Sequence, residues 1–154
     1  MTTAHHAPRV SLSRDAPALY RAHVALDRAV RESALDRRTL ELVKVRASQV
    51  NGCAFCIDMH TRDALAAGET QRRLFALAAW RESPLFDGRE RAALALTDAM
   101  TLIAEDAVPD AIYAAAAELL SAEELTALLF AIAVINSWNR LAIATGSVFE
   151  APED

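Results

Sequence analysis

Apolar residues recur along most of this chain at three- and four-residue steps, which is the spacing of one face of an α-helix. The clearest run comprises Leu40, Val43, Ala47 and Val50, and it follows Asp36, a residue type that caps helix N-termini. Runs of the same kind predict further helices at 13–30, 53–67, 70–80, 87–103, a short segment beginning at Pro109, and 121–146. The pattern therefore predicts an all-α fold of about six to seven helices.

Residues at the predicted boundaries support this division. Asn51-Gly52 ends the second helix, because both residues tolerate the positive φ of a helix-ending turn. Two capping-box pairs begin the fifth and the last helices: Asp87 with Glu90, and Ser121 with Glu124.

Composition agrees with a single helical domain. Ala and Leu are abundant and there are only 4 Gly and 5 Pro among 154 residues, a balance that favours helix over sheet. The length is that of one domain, and no linker-like segment divides it. We therefore predict one helical domain at 14–150, preceded by a flexible tail at 1–13.

The last predicted helix is apolar on all sides through its middle, so it must be buried on all sides. A domain this small has difficulty covering such a helix alone, and homo-oligomerisation is the simplest answer. The alternative is a central helix wrapped by the others. Asn136, Ser137 and Asn139 follow the apolar run, and they indicate either an interface hydrogen-bond network or the point where the helix emerges into water.

Charge and hydropathy exclude several kinds of partner. The formal net charge is -5 and no cluster of Lys and Arg stands out, so the chain is a poor match for nucleic acid or an anionic membrane. Residues 1–13 have no apolar core of a signal peptide. The longest purely apolar run, 127–135, is shorter than the roughly 20 residues that span a bilayer. We expect a soluble, cytoplasmic protein.

The two cysteines, Cys53 and Cys56, carry the clearest chemical signal. A permanent structural disulfide is unexpected in a reducing compartment. The pair brackets the first turn of a predicted helix, where residues three apart lie on one side. Unpaired N–H groups and the dipole at a helix N-terminus favour thiolate over thiol. This arrangement predicts a pair that cycles between dithiol and disulfide.

His60 lies one turn beyond Cys56 on the same predicted helix face, where an imidazole can activate a thiol. Cys56 is therefore the candidate nucleophile and Cys53 its resolving partner. Glu41, on the preceding helix, reaches this site only if the Asn-Gly turn folds that helix back. Spacing alone favours instead an exposed Glu41–Lys44 pair on a helix surface.

Two other interpretations of the same residues stay open. Cys53, Cys56, His60 and Glu41 have the residue types of a four-ligand zinc site, but structural zinc usually takes its ligands as two pairs from separate segments, and here three lie on one helix. The cysteines are otherwise simply two buried, inert residues. We predict no metal and no organic cofactor.

The stretch from Glu41 to Gly68 resembles the core of the alkylhydroperoxidase D-like (AhpD-like) proteins of the carboxymuconolactone decarboxylase superfamily. The resemblance is carried by Glu41, 46–56, His60, Ala64 and Gly68, and it extends to 77–81 and 136–143. It implies an all-helical fold, oligomers that are commonly trimers or hexamers, and a cysteine pair that reduces hydroperoxides.

The resemblance also implies roles for individual residues. The second cysteine attacks the peroxide and the first then closes a disulfide, while a Glu and a His relay protons. By position, these are Cys56, Cys53, Glu41 and His60. Phe55 departs from the pattern, because some members carry a His there, and this removes one relay partner. The implied partners are a hydroperoxide and an external dithiol protein that regenerates the pair.

Three alternatives remain at this stage. The same cysteines fit a protein disulfide reductase or redox adaptor without efficient peroxidase activity. A non-catalytic helical oligomeric binding protein would leave them inert. Lactone decarboxylation comes third. The decarboxylase branch of the superfamily works without the cysteine pair, so the presence of the pair here argues against that reaction.

Overall fold

The computed structural model describes residues 9–147, and all regular structure in that range is helical. The helices are α1 (Leu12–Asp15), α2 (Pro17–Arg31), α3 (Arg37–Asn51), α4 (Ala54–Ala66), α5 (Gln71–Ala76), α6 (Gly88–Thr101), α7 (Ile103–Asp106), α8 (Asp110–Leu119) and α9 (Ala122–Thr145), with a 3₁₀ turn at Leu77–Ala79. The described residues contain no strand, and the all-α prediction is confirmed.

The long helices match the predicted ones, and the differences lie at their ends. The predicted first helix is divided at Ala16, because Pro17 begins a new helix at a position where its missing N–H costs nothing. The predicted fifth helix ends at Thr101, and a short separate turn, α7, follows. Pro109 is the N-cap of α8, so this helix begins at Asp110, one residue later than predicted.

The ends of the chain lie partly outside the described residues. The predicted tail at 1–13 is described only from Arg9, and the predicted domain end only to Ser147. The backbone N–H of Arg9 donates to the carbonyl of Thr145 at 2.8 Å. This part of the chain therefore lies beside the C-terminal end of α9.

The predicted helix caps are present. The Asp36 side chain accepts hydrogen bonds from the first backbone N–H groups of α3, and the capping boxes at Asp87 and Ser121 have both of their hydrogen bonds. Each such cap contributes about 1 kcal/mol to stability. Local signals thus fix where α3, α6 and α9 begin.

Helix α3 lies at the centre of the fold and packs against α4, α6 and α9. Its residues 40–45 are all buried. Leu40 and Val43 join the largest apolar cluster, with α6, α8 and α9, while Leu42 and Val45 join a second cluster around Trp80. Any charged residue in this run is therefore enclosed by protein.

Helix α9 packs along one side of α3, and in the described range it is the helix that is long and apolar enough to cross a membrane. Half of its most apolar stretch is buried inside the fold. Phe130 and Ile143 are 52% and 50% exposed. The helix is thus enclosed on part of its circumference, and the expected homo-oligomer remains a prediction.

Candidate active site

The turn between α3 and α4 folds the two helices against each other. Gly52 has φ of +69°, in the left-handed region that a side chain disfavours. The N–H of Cys53 then donates to the carbonyl of Ser48 at 3.0 Å and closes the helix end. Cys53 becomes the N-cap of α4, so the sequence places the cysteines where two helices meet.

The two sulfurs of the pair lie close together. Cys53 and Cys56 are reduced, and their Sγ atoms are 2.7 Å apart and joined by a hydrogen bond. Each cysteine is only 2% exposed, within a small cluster that includes Ala47, Ile135 and Ala142. The predicted pairing of the two side chains on one side of the helix is therefore present, and closing a disulfide needs only a short approach of the sulfurs.

The shared hydrogen bond separates the proton affinities of the two thiols. When Cys53 is ionised, its thiolate accepts the hydrogen bond between the sulfurs. This bond, opposed by burial and helped by the Asn139 amide, lowers the pKa of Cys53 to about 7. The same hydrogen bond, together with burial, raises the pKa of the Cys56 thiol above its ordinary value. Near neutral pH the pair therefore loses one proton readily and holds the second.

Glu41 and His60 form the second half of the site. Glu41 Oε2 lies 3.0 Å from His60 Nδ1, and both side chains are buried, at 0% and 2% exposure. Burial raises the pKa of Glu41, but the hydrogen bond and charge of His60, with the charges of Lys44 and Arg37, outweigh it and lower the pKa. An ionised Glu41 accepts the proton of Nδ1, so Nε2 is the acceptor nitrogen whenever the imidazole of His60 is neutral.

The two halves are not joined by a direct hydrogen bond. His60 follows Cys56 by one turn of α4, as predicted. In residues 9–147, no hydrogen bond links the imidazole to either sulfur. A proton that moves from the sulfurs to His60 therefore needs a bridging water or a small shift of a side chain.

A second buried ion pair lies beside Glu41. Lys44 is completely buried, and its Nζ donates to Asp27 Oδ1 at 2.9 Å. Arg31 binds the other oxygen of Asp27 at 2.9 Å. Burial raises the pKa of Asp27, but the Lys44 hydrogen bond and the charges of Lys44, Arg31 and His60 outweigh it and lower that pKa. Charges thus alternate along this array from Asp27 to Lys44 to Glu41.

A chain of buried amides ties the turn after α3 to α9. Asn139 donates to Ser48 Oγ at 3.0 Å and accepts from Asn51 at 2.9 Å. Asn136 accepts from Asn51 and donates to Thr101 Oγ1, both at 3.0 Å. Asn136 and Asn139 are buried and bonded within one chain, so the exposed helix end is wrong for them, while the interface network stays a prediction. Their bonds hold Asn139 against the two sulfurs.

A sequence model of the carboxymuconolactone decarboxylase family matches residues 17–99, just over half of the chain. The uncharacterized protein YdfG of Bacillus subtilis (strain 168) is 43% identical over 139 residues, which cover 90% of this chain and 95% of YdfG. The chain belongs to the carboxymuconolactone decarboxylase family.

The fold also matches a solved structure of this family's AhpD-like kind. A protein of unknown function from Agrobacterium tumefaciens, described provisionally as the antioxidant defence protein AhpD, is 36% identical, with a TM-score of 0.92 over 95% of this chain and 100% of that one. The uncharacterized protein YnjA of Escherichia coli (strain K12) is 33% identical over 106 residues, 69% of this chain and 58% of YnjA. The AhpD-like assignment made from the sequence is confirmed.

Metal-ligating side chains of this AhpD-like protein converge at one place in the described range. Glu41, His60 and Asp63 have ligand atoms within 4.8 Å of one another. The cysteines are not part of this group, so the set weighed for zinc from the sequence is not assembled. Glu41 Oε2 and His60 Nδ1 are already joined by a hydrogen bond, so a metal bound at these two atoms would have to displace the proton between them.

Sequence reasoning missed the Lys44–Asp27 pair of this AhpD-like protein. The spacing of charges had placed Lys44 in an exposed pair with Glu41, whereas the structure buries both side chains. One signal was available. Lys44 follows Leu40 by four residues and precedes Ser48 by four, so it lies on the enclosed side of α3.

Proposed function

We propose that this AhpD-like protein is a thiol-dependent hydroperoxidase that uses Cys53 and Cys56. The observation that carries the proposal is a reduced cysteine pair, 2.7 Å apart at a helix N-terminus, on the same helix as a buried His60 that is bonded to Glu41. The likeness to the Agrobacterium protein supports an AhpD-like antioxidant role at a coarser level.

The proposed reaction has two steps on the protein. A cysteine thiolate attacks the distal oxygen of the hydroperoxide, the O–O bond breaks, and the products are a sulfenic acid and, after protonation, an alcohol or water. The other thiol attacks the sulfenic sulfur, which forms the Cys53–Cys56 disulfide and releases water. The peroxide is reduced by two electrons and the thiols are oxidised by two.

We assign the attack to Cys56 on the resemblance, with Cys53 as the resolving thiol. The shared hydrogen bond places the resting negative charge on Cys53. A proton must therefore first move from the Cys56 thiol to the Cys53 thiolate, along the contact between the two sulfurs. The thiol with the higher pKa gives the more nucleophilic thiolate. His60, oriented by Glu41, takes the proton through a bridging water and returns it to the leaving oxygen.

The remaining parts of the proposal concern the surroundings of the reaction. An external dithiol protein reduces the disulfide, and no metal or organic cofactor takes part. The protein acts in the cytoplasm as a homo-oligomer, a trimer or a hexamer.

Burial of the thiols bears on the alternative of a protein disulfide reductase. Such a reductase must bring the sulfur of another protein against its own, but each cysteine here is only 2% exposed. A small hydroperoxide needs far less room than a protein disulfide. The site therefore favours peroxide reduction, and the same burial requires the cover over the pair to open for the external reductant.

The test is consumption of an organic hydroperoxide in the presence of excess dithiothreitol. With dithiothreitol present, the wild-type protein should turn over and Cys56→Ser should be inactive. After dithiothreitol, which itself reduces sulfenic acids, has been removed, Cys53→Ser should react once and stop as a sulfenic acid that a dimedone probe labels. If Cys56→Ser takes the label and Cys53→Ser is inert, the order of the cysteines is reversed. If the wild-type protein reduces a protein disulfide but no peroxide, it is a redox adaptor.

A further inference from the structure

A cavity of about 300 Å³ lies directly beside the cover of the cysteine pair. Its apolar wall includes Val10, Leu12, Tyr20, Phe55, Trp138 and Ala142. The rest of the described lining is serine and threonine, and none of the described lining residues is charged. Small-molecule sites commonly have volumes of roughly 300–1,000 Å³, an apolar lining and a few polar groups.

The cavity and the cysteines share a wall. Phe55 and Trp138 line the cavity and also pack against the cluster that contains both sulfurs. Ala142 belongs to both as well. The floor of the cavity is therefore part of the cover that leaves each cysteine only 2% exposed, and a molecule in the cavity is separated from the pair by one layer of side chains.

The two aromatic rings of this floor are held to different extents. His23 stacks on Trp138 at a centroid distance of 4.0 Å, and Tyr20 meets the same ring edge-on at 5.9 Å. No aromatic ring of the described residues packs in this way on Phe55, which lies in the first turn of α4 between the cysteines. Phe55 is the side of the floor that can change rotamer without breaking an aromatic contact.

The N-terminal segment forms the opposite wall. Residues 10–13 line the cavity, and Arg9 is anchored to the end of α9 through its backbone N–H to Thr145, at 2.8 Å, and its guanidinium to the carbonyl of Ala144, at 3.2 Å. The cavity is thereby enclosed between this segment, α2 and α9.

Resting on the proposed hydroperoxidase activity, we infer that this cavity is the subsite for the organic group of the substrate. The substrate class is an uncharged hydroperoxide with a compact alkyl or aryl group. Transfer of apolar surface from water into this lining favours binding by about 25 cal/mol per Å², and hydrogen peroxide has no such surface. The described lining has no cation, so it offers no charged partner to the carboxylate of a fatty-acid hydroperoxide. Rotation of Phe55 opens the path to the sulfurs.

Binding can be tested without the reaction by using cumyl alcohol, the inert product of cumene hydroperoxide. Titration into the wild-type protein should change the emission of Trp138, and Trp138→Phe should remove that change. Ala142→Leu fills the floor and should weaken binding at least about tenfold, or about 1.4 kcal/mol. Ala144→Leu, on the same helix but outside the lining, is the matched control. Ser13→Leu narrows the opposite wall, away from the cysteine cluster, and should also weaken binding.

The kinetic test measures the rate of thiol loss after mixing with cumene hydroperoxide or hydrogen peroxide. The wild-type protein should react at least about tenfold faster with cumene hydroperoxide. Ala142→Leu and Ser13→Leu should both lose most of that preference, and in Ser13→Leu, which lies away from the cysteine cluster, the rate with hydrogen peroxide should stay within about twofold. Equal wild-type rates, or binding that both variants leave intact, overturn the subsite and leave the hydroperoxidase proposal standing. Inert thiols in a protein that still binds cumyl alcohol overturn the hydroperoxidase proposal, and the assignment to a hydroperoxide with it.

Discussion

The buried Lys44–Asp27 pair allows a sharp prediction about stability. Lys44 has no exposed side-chain surface, and its Nζ lies 2.9 Å from Asp27 Oδ1. Asp27→Asn removes the carboxylate charge with almost no change in shape, so the ammonium stays enclosed without its partner. Removing one member of a buried ion pair costs about 3–5 kcal/mol. Arg31 loses the same partner, but it is 38% exposed, and its share is at most about 1 kcal/mol.

The assay is urea unfolding followed by circular dichroism, with all variants at one protein concentration because an oligomer's stability depends on it. Glu32→Gln is the matched control. It makes the same change from carboxylate to amide, but in an exposed ion pair. The side chains of Arg28 and Glu32 are 77% and 62% exposed. That change should cost less than about 1 kcal/mol. The double variant Asp27→Leu with Lys44→Met removes both buried charges and should recover most of the loss.

The pH dependence gives an independent check on Asp27. Its pKa is lowered in the folded protein, so its ionised form stabilises the fold above the unfolded pKa of about 3.9, and this stability is lost as the pH falls through the folded pKa. The gap between wild type and Asp27→Asn should therefore be full near neutral pH and shrink below about pH 4. The reasoning is refuted if Asp27→Asn costs no more than Glu32→Gln at neutral pH.

Three further predictions concern the site and its turn. Glu41→Gln should lower the rate of peroxide consumption by about 10²–10³-fold, since His60 loses the anion that orients it; an activity within twofold of the surface control would exclude Glu41 from the relay. Asn139→Ala should raise the pKa of Cys53 above about 7, because the thiolate loses an amide donor; an unchanged midpoint in the pH profile of iodoacetamide alkylation contradicts this. Gly52→Ala should destabilise the protein by about 1–2 kcal/mol in urea unfolding, because the φ of Gly52 is positive. Gly88→Ala is the control and should not destabilise it, because the added Cβ meets only an ordinary 3.9 Å contact. Equal effects of the two changes would show that the turn geometry is not the cause.

The helices were predictable because their determinants are local. The caps at Asp36, Asp87 and Ser121 and the left-handed Gly52 and Gly146 act through neighbouring residues, and the sequence displays them directly. The errors at Ala16 and Thr101 are breaks of a residue or two, where apolar periodicity continues across a point at which the backbone hydrogen bonds do not.

The candidate site was predictable only in part. Cys53, Cys56 and His60 lie on one helix, so their spacing already gives their relative positions. The placement of Glu41 against His60 depends on how α3 and α4 pack, and it entered through the resemblance alone. The pairing of Lys44 with Asp27, 17 residues away, had no such support. Spacing within one helix does not show which of its charged side chains the neighbouring helices will enclose.

The most direct test of the proposed activity is a single turnover in the absence of reductant. The fully reduced protein is mixed with one equivalent of cumene hydroperoxide, and thiols, cumyl alcohol and intact mass are measured. We expect one alcohol released for each two thiols lost, a mass lower by two hydrogen atoms, and a Cys53–Cys56 linkage in the peptide map. Retention of both thiols, or alcohol release that persists in a variant lacking both cysteines, would contradict a thiol hydroperoxidase.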